Sequence, residues 1–265
     1  MTDHPHAETA VVVVDDGTPI AHRRWEPDAG VEPHPVPVVL QHGYGANGLL
    51  DWVAPGTVAA LTAAGRRVVA VDARGHGASG TSADPARYGE RRMARDLLAV
   101  VGGLDVPAFD LVGYSMGAVI ALLTAEREPA VRRLVVGGVG AGVVEVGGVD
   151  TRALSNDVLA EAMLAEDPGD LPPGVAEVRA FAETAGADLP SLAAHARSVH
   201  RDGVDLAGIT ARTLVIAGAD DPLAVRPHVL ADAIPGARLR VVAGTHDIVG
   251  TSAEFRSAIV EFLNA

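Results

Sequence analysis

The chain has 265 residues, 48% of them hydrophobic and 21% charged, a globular balance with enough apolar material for one substantial core. Cysteine is absent, which excludes disulfides, a thiolate nucleophile and cysteine metal ligands, and the formal charge of −13 repels phosphate backbones, so no nucleic-acid partner is expected. No apolar run reaches the ~18 residues a spanning helix needs, and the polar start Met1–Glu8 lacks the basic and apolar regions of a signal peptide, so the expectation is a cytoplasmic protein without a membrane partner.

In chain order, Val11–Val14 is a β-branched run that stops at Asp16-Gly17, a hairpin turn signal, and Ile20–Trp25 reads as the returning strand. The Pro-rich stretch Pro27–Pro37 is a surface connection. Val38-Val39-Leu40 is wholly apolar, as suits a parallel strand covered on both faces. Helix is expected over Val53–Ala64, stopping at Gly65, then strand over Arg67–Val71. Arg91–Val101 reads as helix, Phe109–Gly113 as strand, Met116–Arg127 as helix and Val131–Val136 as strand.

The alternation then breaks. Leu154–Ala165, Val175–Ala185 and Ser191–His200 read as helices, with breaks at Pro168, Pro172-Pro173 and Pro190. It resumes at Thr213–Ala217 (strand), Arg226–Ala233 (helix), Leu239–Val242 (strand) and Ala253–Leu263 (helix). The expected fold is α/β: a mostly parallel, doubly wound sheet of about eight strands, antiparallel at its N-terminal hairpin, with a small helical cap inserted after the sixth strand. The core spans residues 1–139 and 206–265 and the cap spans 140–205.

Gly113-Tyr114-Ser115-Met116-Gly117 fits the pattern G-x-S-x-G. Thirty glycines make the bare pattern weak, but it lies between an apolar strand and a helix, where a tight turn would strain the serine and present its hydroxyl at a helix head. A glycine-rich structural turn is the bland alternative.

At this point the chain resembles the α/β-hydrolase family, specifically its capped, esterase-like members. The resemblance rests on Gln41-His42-Gly43-Tyr44-Gly45, on Asp72-Ala73-Arg74-Gly75-His76-Gly77-Ala78-Ser79, on the Ser115 motif, and on Gly218-Ala219-Asp220-Asp221-Pro222 with the later His246. It covers the chain from about residue 10 onward except the cap. It implies Ser115 as nucleophile, His246 as base, and oxyanion-hole N–H groups from the backbones of Tyr44 and Met116. It also implies Asp221 as the acid that orients the base, because the family's acid stands three residues after the glycine closing this strand. Pro222 further restrains the backbone at Asp221. Glu145 is the fallback acid. Thr245 departs from the glycine the family often places before the base, with Gly244 one step earlier.

His42 and His76 read as loop-shaping histidines and Arg74 as a hydrogen-bonding residue of its turn; His195, His200 and His228 have ordinary surface or core roles by default. Leu159, Met163 and Phe181 are candidates to face substrate, or equally to pack the cap onto the core. No metal site is expected, because the histidines lack HExxH or clustered-carboxylate spacing, and no nucleotide cofactor, because no GxGxxG or Walker loop follows a strand. The implied activity is hydrolysis of an ester, lactone or thioester through an acyl-enzyme, on a small substrate expected to be neutral and apolar. A carbon–carbon bond hydrolase or a cofactor-independent haloperoxidase could use the same triad. A serine nucleophile argues against dehalogenase or epoxide-hydrolase chemistry, which the family runs with aspartate. A non-catalytic small-molecule binding protein is the remaining class.

Overall fold

The computed structural model describes residues 7–152 and 155–265. The polar start Met1–His6 and Leu154, the first residue of an expected cap helix, lie outside them. Eight strands form one sheet: β1 (Glu8–Val13), β2 (Pro19–Trp25), β3 (Val38–Gln41), β4 (Val68–Val71), β5 (Phe109–Tyr114), β6 (Val131–Gly137), β7 (Arg212–Gly218) and β8 (Arg238–Val242). Their order across the sheet is β1-β2-β4-β3-β5-β6-β7-β8. β2 runs antiparallel to both its neighbours and every other pairing is parallel. The mostly parallel sheet with an antiparallel N-terminal hairpin agrees with the reading from sequence.

The helices are α1 (Thr57–Ala63), α2 (Glu90–Gly102), α3 (Met116–Ala125), α4 (Ala141–Val146), α5 (Asn156–Leu164), α6 (Pro173–Thr184), α7 (Leu189–Ala196), α8 (Pro227–Ala233), α9 (His246–Thr251) and α10 (Ala253–Leu263). Successive strand residues point to opposite faces, so each central strand feeds two apolar layers. Val39, Val69, Leu111 and Val136 meet Leu97, Val119 and Leu230 on one face. Val38, Leu40, Val112 and Ile216 meet Leu61, Phe255 and Ile259 on the other. Helices α4 to α7 all fall between β6 and β7, and α5 to α7 share a small apolar cluster of their own that includes Leu159, Met163, Ala182 and Leu192.

Four expectations need correcting. The helix expected over Val53–Ala64 is a π-turn, Leu49–Val53, followed by a break at Gly56 (φ 83°), and α1 starts only at Thr57. Pro173 and Pro190 do not break helices; they sit in the first turns of α6 and α7, where a missing N–H costs nothing. Helix α4 was not foreseen, because its sequence Ala-Gly-Val-Val-Glu-Val has poor intrinsic helix propensity. Nor was α9, whose six residues include a glycine and three β-branched residues.

Candidate active site

Ser115 stands between β5 and α3, with φ 54° and ψ −119°. A positive φ is costly for any residue but glycine, so the surrounding chain must hold it. Two glycines make that possible. A Cβ on Gly113 would run into the Gly117 backbone, and a Cβ on Gly117 into the Gln41 carbonyl. The Ser115 N–H donates to the Gly137 carbonyl at 2.8 Å, and its own carbonyl accepts the N–H groups of Ala118 and Val119 at the start of α3.

His246 opens α9, immediately after the turn that leaves β8. Its Nδ1 lies 2.8 Å from Asp221 Oδ2, and the carboxylate has no exposed side-chain surface. The other carboxylate oxygen accepts the Leu223 N–H at 2.8 Å, across Pro222. A carboxylate against Nδ1 places the ring proton there and leaves Nε2 as the basic nitrogen. Asp220 is exposed, and its backbone N–H donates to the Gly244 carbonyl at 3.2 Å. Gly244 takes φ 120°, which lets the chain turn one residue before Thr245. Tyr114, next to Ser115, packs its ring 5.2 Å from the His246 imidazole and donates its hydroxyl to the His246 carbonyl at 2.5 Å. Burial pushes this phenol's pKa up, so it stays a neutral donor. Gly138 leaves the space for both rings: a Cβ there would stand 2.9 Å from each. A hydrogen bond from Ser115 Oγ to His246 Nε2 is not among those of the described residues; such bonds are often long before substrate arrives.

The loop after β3 borders the serine. A Cβ on Gly43 would stand 3.5 Å from Ser115 Cβ and 3.5 Å from an Asp51 carboxylate oxygen. His42 spends both ring nitrogens on backbone. Its Nε2 accepts the Ala73 N–H at 2.9 Å, so Nδ1 carries the proton and donates to the Gly43 carbonyl at 2.7 Å. Asp51, in the π-turn, accepts the Gly43 N–H at 2.7 Å, and burial raises its pKa against the opposing pull of that N–H. Tyr44 follows; its side-chain hydroxyl donates to the Leu192 carbonyl of α7 at 2.8 Å. Met116 is buried at the first position of α3.

Other candidates sit elsewhere. Arg74 is buried and grips Asp96 through two nitrogens at 2.6 and 2.8 Å. The His76 Nδ1 faces the Arg74 carbonyl at 3.0 Å. Glu145 is exposed and pairs with Arg152 and Arg226 at 2.7 Å each. Leu159 and Met163 are buried inside the α5–α7 cluster, whereas Phe181 is 46% exposed, beside the backbone of Gly45. Sequence reasoning passed over Asp51 and the Tyr44 side chain. Asp51 reaches Gly43 only because a π-turn intervenes, and nothing in the spacing signals that.

The family described as the α/β hydrolase fold matches residues 36–170. A 2-hydroxymuconate semialdehyde hydrolase of Pseudomonas putida is 32% identical over 194 residues, which is 66% of this chain and 68% of that protein. Three further relatives align over shorter stretches, so that the chain spans 26%, 36% and 24% of their lengths. Among solved structures, a hydrolase from Pseudomonas aeruginosa PA01 superposes with a TM-score of 0.77 at 28% identity, covering 97% of this chain and 98% of that one. An enol-lactonase from Burkholderia xenovorans LB400 superposes with a TM-score of 0.71 at 26% identity, covering 97% and 100%.

Proposed function

This chain belongs to the α/β-hydrolase fold family, and from that premise we propose that it is a serine hydrolase that cleaves a carboxylic ester, lactone or thioester through an acyl-enzyme. The observation that carries the reading is the strained Ser115 at the head of α3, with the Asp221–His246 pair held beside its neighbour Tyr114. Ser115 Oγ attacks the carbonyl carbon while His246 Nε2 takes its proton. The backbone N–H groups of Tyr44 and Met116 receive the oxyanion. Collapse breaks the bond to the leaving group, which departs with the proton from His246. Water, deprotonated by the same imidazole, then attacks the acyl carbon and frees the acid and Ser115. Asp221 holds the tautomer and stabilises the imidazolium. The helices α5–α7 act as the cap, and Phe181 is its candidate contact with the acyl group.

Similarity to a 2-hydroxymuconate semialdehyde hydrolase favours one second reading, cleavage of a carbon–carbon bond on the same three side chains. A substrate panel of esters, lactones, thioesters and vinylogous diketones separates the two. The serine reading itself is tested with a fluorophosphonate, which should label wild type stoichiometrically on the Ser115 peptide and leave Ser115→Ala unlabelled. Asp221→Asn should cut kcat by roughly three to four orders of magnitude, and Asp220→Asn by less than about tenfold. An unlabelled wild type would sink the serine mechanism; the reverse ranking of the two aspartates would move the acid.

A further inference from the structure

The loop Gly43-Tyr44-Gly45 touches the nucleophile with its first residue and the inserted helices with its next two. Gly43 packs against Ser115. Tyr44 belongs to two apolar clusters at once, the main core and the cluster shared by α5–α7. Its ring lies 5.5 Å from that of His195 on α7, and its hydroxyl donates to the Leu192 carbonyl of the same helix. Burial pushes this phenol's pKa up as well, which keeps the donor proton in place. Gly45 has φ 74°, and a Cβ there would stand 3.6 to 3.9 Å from Ala182 and Phe181 of α6 and Leu192 of α7. The loop is therefore clamped between the inserted helices on one side and, through the Asp51–Gly43 bond, the core on the other.

We propose that Tyr44 is a positioning residue whose side chain ties the seating of the cap to the geometry of the oxyanion site, so that turnover is efficient only while α7 holds its hydroxyl. The proposal rests on the serine-hydrolase reading, in which the Tyr44 backbone N–H is one of the two oxyanion donors. One residue then serves two elements. Its backbone faces the reacting carbonyl and its side chain reports where the cap is. Oxyanion donors act only if they are held in place before charge develops, and a misplacement of about 1 Å can cost ~100-fold in rate. A displaced α7 would release the phenol and free the peptide that carries the donor. The cap would then contribute to the chemical step as well as covering the substrate.

Tyr44→Phe removes the hydroxyl and keeps the ring in both apolar clusters. Relative to wild type, kcat should fall about tenfold or more while KM changes by less than about threefold, because a donor that matters in the transition state is loosened and ground-state binding is not. The rate constant for fluorophosphonate labelling of Ser115 should fall by a similar factor. Ser191→Ala is the control. It breaks another tether of α7, the Ser82 N–H to Ser191 Oγ bond of 3.0 Å, which does not pass through the loop. This variant should keep kcat within about twofold. A purely structural tyrosine would lower Tm and leave both rate constants of the folded protein unchanged, and that result overturns the proposal. Equal losses in Tyr44→Phe and Ser191→Ala would also overturn it, since any cap tether would then do. A wild type that takes no label brings down the hydrolase reading and this proposal together. A labelled wild type with Tyr44→Phe at the same rate brings down this proposal alone.

Discussion

Burying a carboxyl whose hydrogen-bond partner is a backbone amide costs free energy, and Asp51 is such a group. Its Oδ2 takes the Gly43 N–H, which offsets only part of the desolvation, so its pKa stands above the usual carboxylate range. A raised carboxyl pKa means that the unfolded chain ionises first as pH rises. The folded state therefore loses stability from the ordinary carboxylate range upward, until the folded group ionises too. Asp51→Asn keeps an oxygen for the Gly43 N–H and removes the charge. Its Tm relative to wild type should climb as pH rises above the ordinary carboxylate range and then level off, each kcal/mol appearing as about 2–4 °C in a chain of this size. A difference independent of pH would show that the carboxyl carries no such penalty. Asp51 also marks where residue-level reading stops. Ser115, Asp221 and His246 stand out in the sequence through the motifs that carry the family resemblance, the G-x-S-x-G turn and the order of the later segments. The Tyr44 hydroxyl gains its partner from a helix distant in sequence, and Asp51 reaches the nearby Gly43 N–H only through the π-turn; no local pattern announces either.

At the scale of elements, the strands were the most legible. Val38–Leu40 is wholly apolar, and Phe109–Gly113 and Thr213–Ala217 are apolar but for Asp110 and Thr213; such short runs suit a sheet covered on both faces. Helices α4 and α9 were not legible, because packing and chain direction, not propensity, keep those short turns helical. Another feature hidden from sequence joins several elements at the opposite end of the strands from Ser115. Arg66 is fully buried, with its guanidinium on Asp110 of β5, on the Val36 carbonyl at 3.0 Å, and on the Leu263 carbonyl at the end of α10 at 2.7 Å. Arg133 of β6 stands 3.8 Å from the same carboxylate. Removing one partner of a buried ion pair strands the other charge, at about 3–5 kcal/mol. Asp110→Ala should therefore lower Tm by roughly 10 °C. Asp110 and Ser115 are separated by most of a strand, about 16 Å at the usual rise per residue. The folded variant should thus label with fluorophosphonate at the wild-type rate. A matching loss of labelling would show that the two ends of the sheet are coupled.

For the molecule as a whole, the question is what holds the inserted helices to the core. Glu90, at the start of α2, is fully buried where the two meet. Its Oε2 accepts the His200 N–H at 2.6 Å, and its Oε1 lies 3.4 Å from His195 Nε2 on α7. Around His195 stand the rings of Tyr44, His76 and Tyr88, and burial holds the pKa of His76 well below the ordinary imidazole value, so that ring is neutral. Burial alone would raise the Glu90 pKa, but the His195 side chain and the backbone N–H groups outweigh it, and the carboxyl titrates below its usual range. For a carboxyl lowered in this way, the stability it contributes is present above the unfolded pKa and is lost as pH falls through the folded one. Acid should thus unseat the cap before it unfolds the sheet. The measurement is hydrogen exchange over residues 155–200, corrected for intrinsic rates, between neutrality and about pH 3. In wild type, protection of α5–α7 should fall across the lower end of the carboxylate range while β3, β5 and β6 stay protected. In Glu90→Gln the bond to the His200 N–H persists without its charge. A charge-assisted bond is worth about 1.5–3 kcal/mol, so the cap should open roughly tenfold or more often at neutral pH and change little on acidification. Should the variant instead keep the wild-type dependence on pH, Glu90 is not the group that senses acid. Should cap and sheet lose protection together, the helices are part of one cooperative unit and do not open on their own.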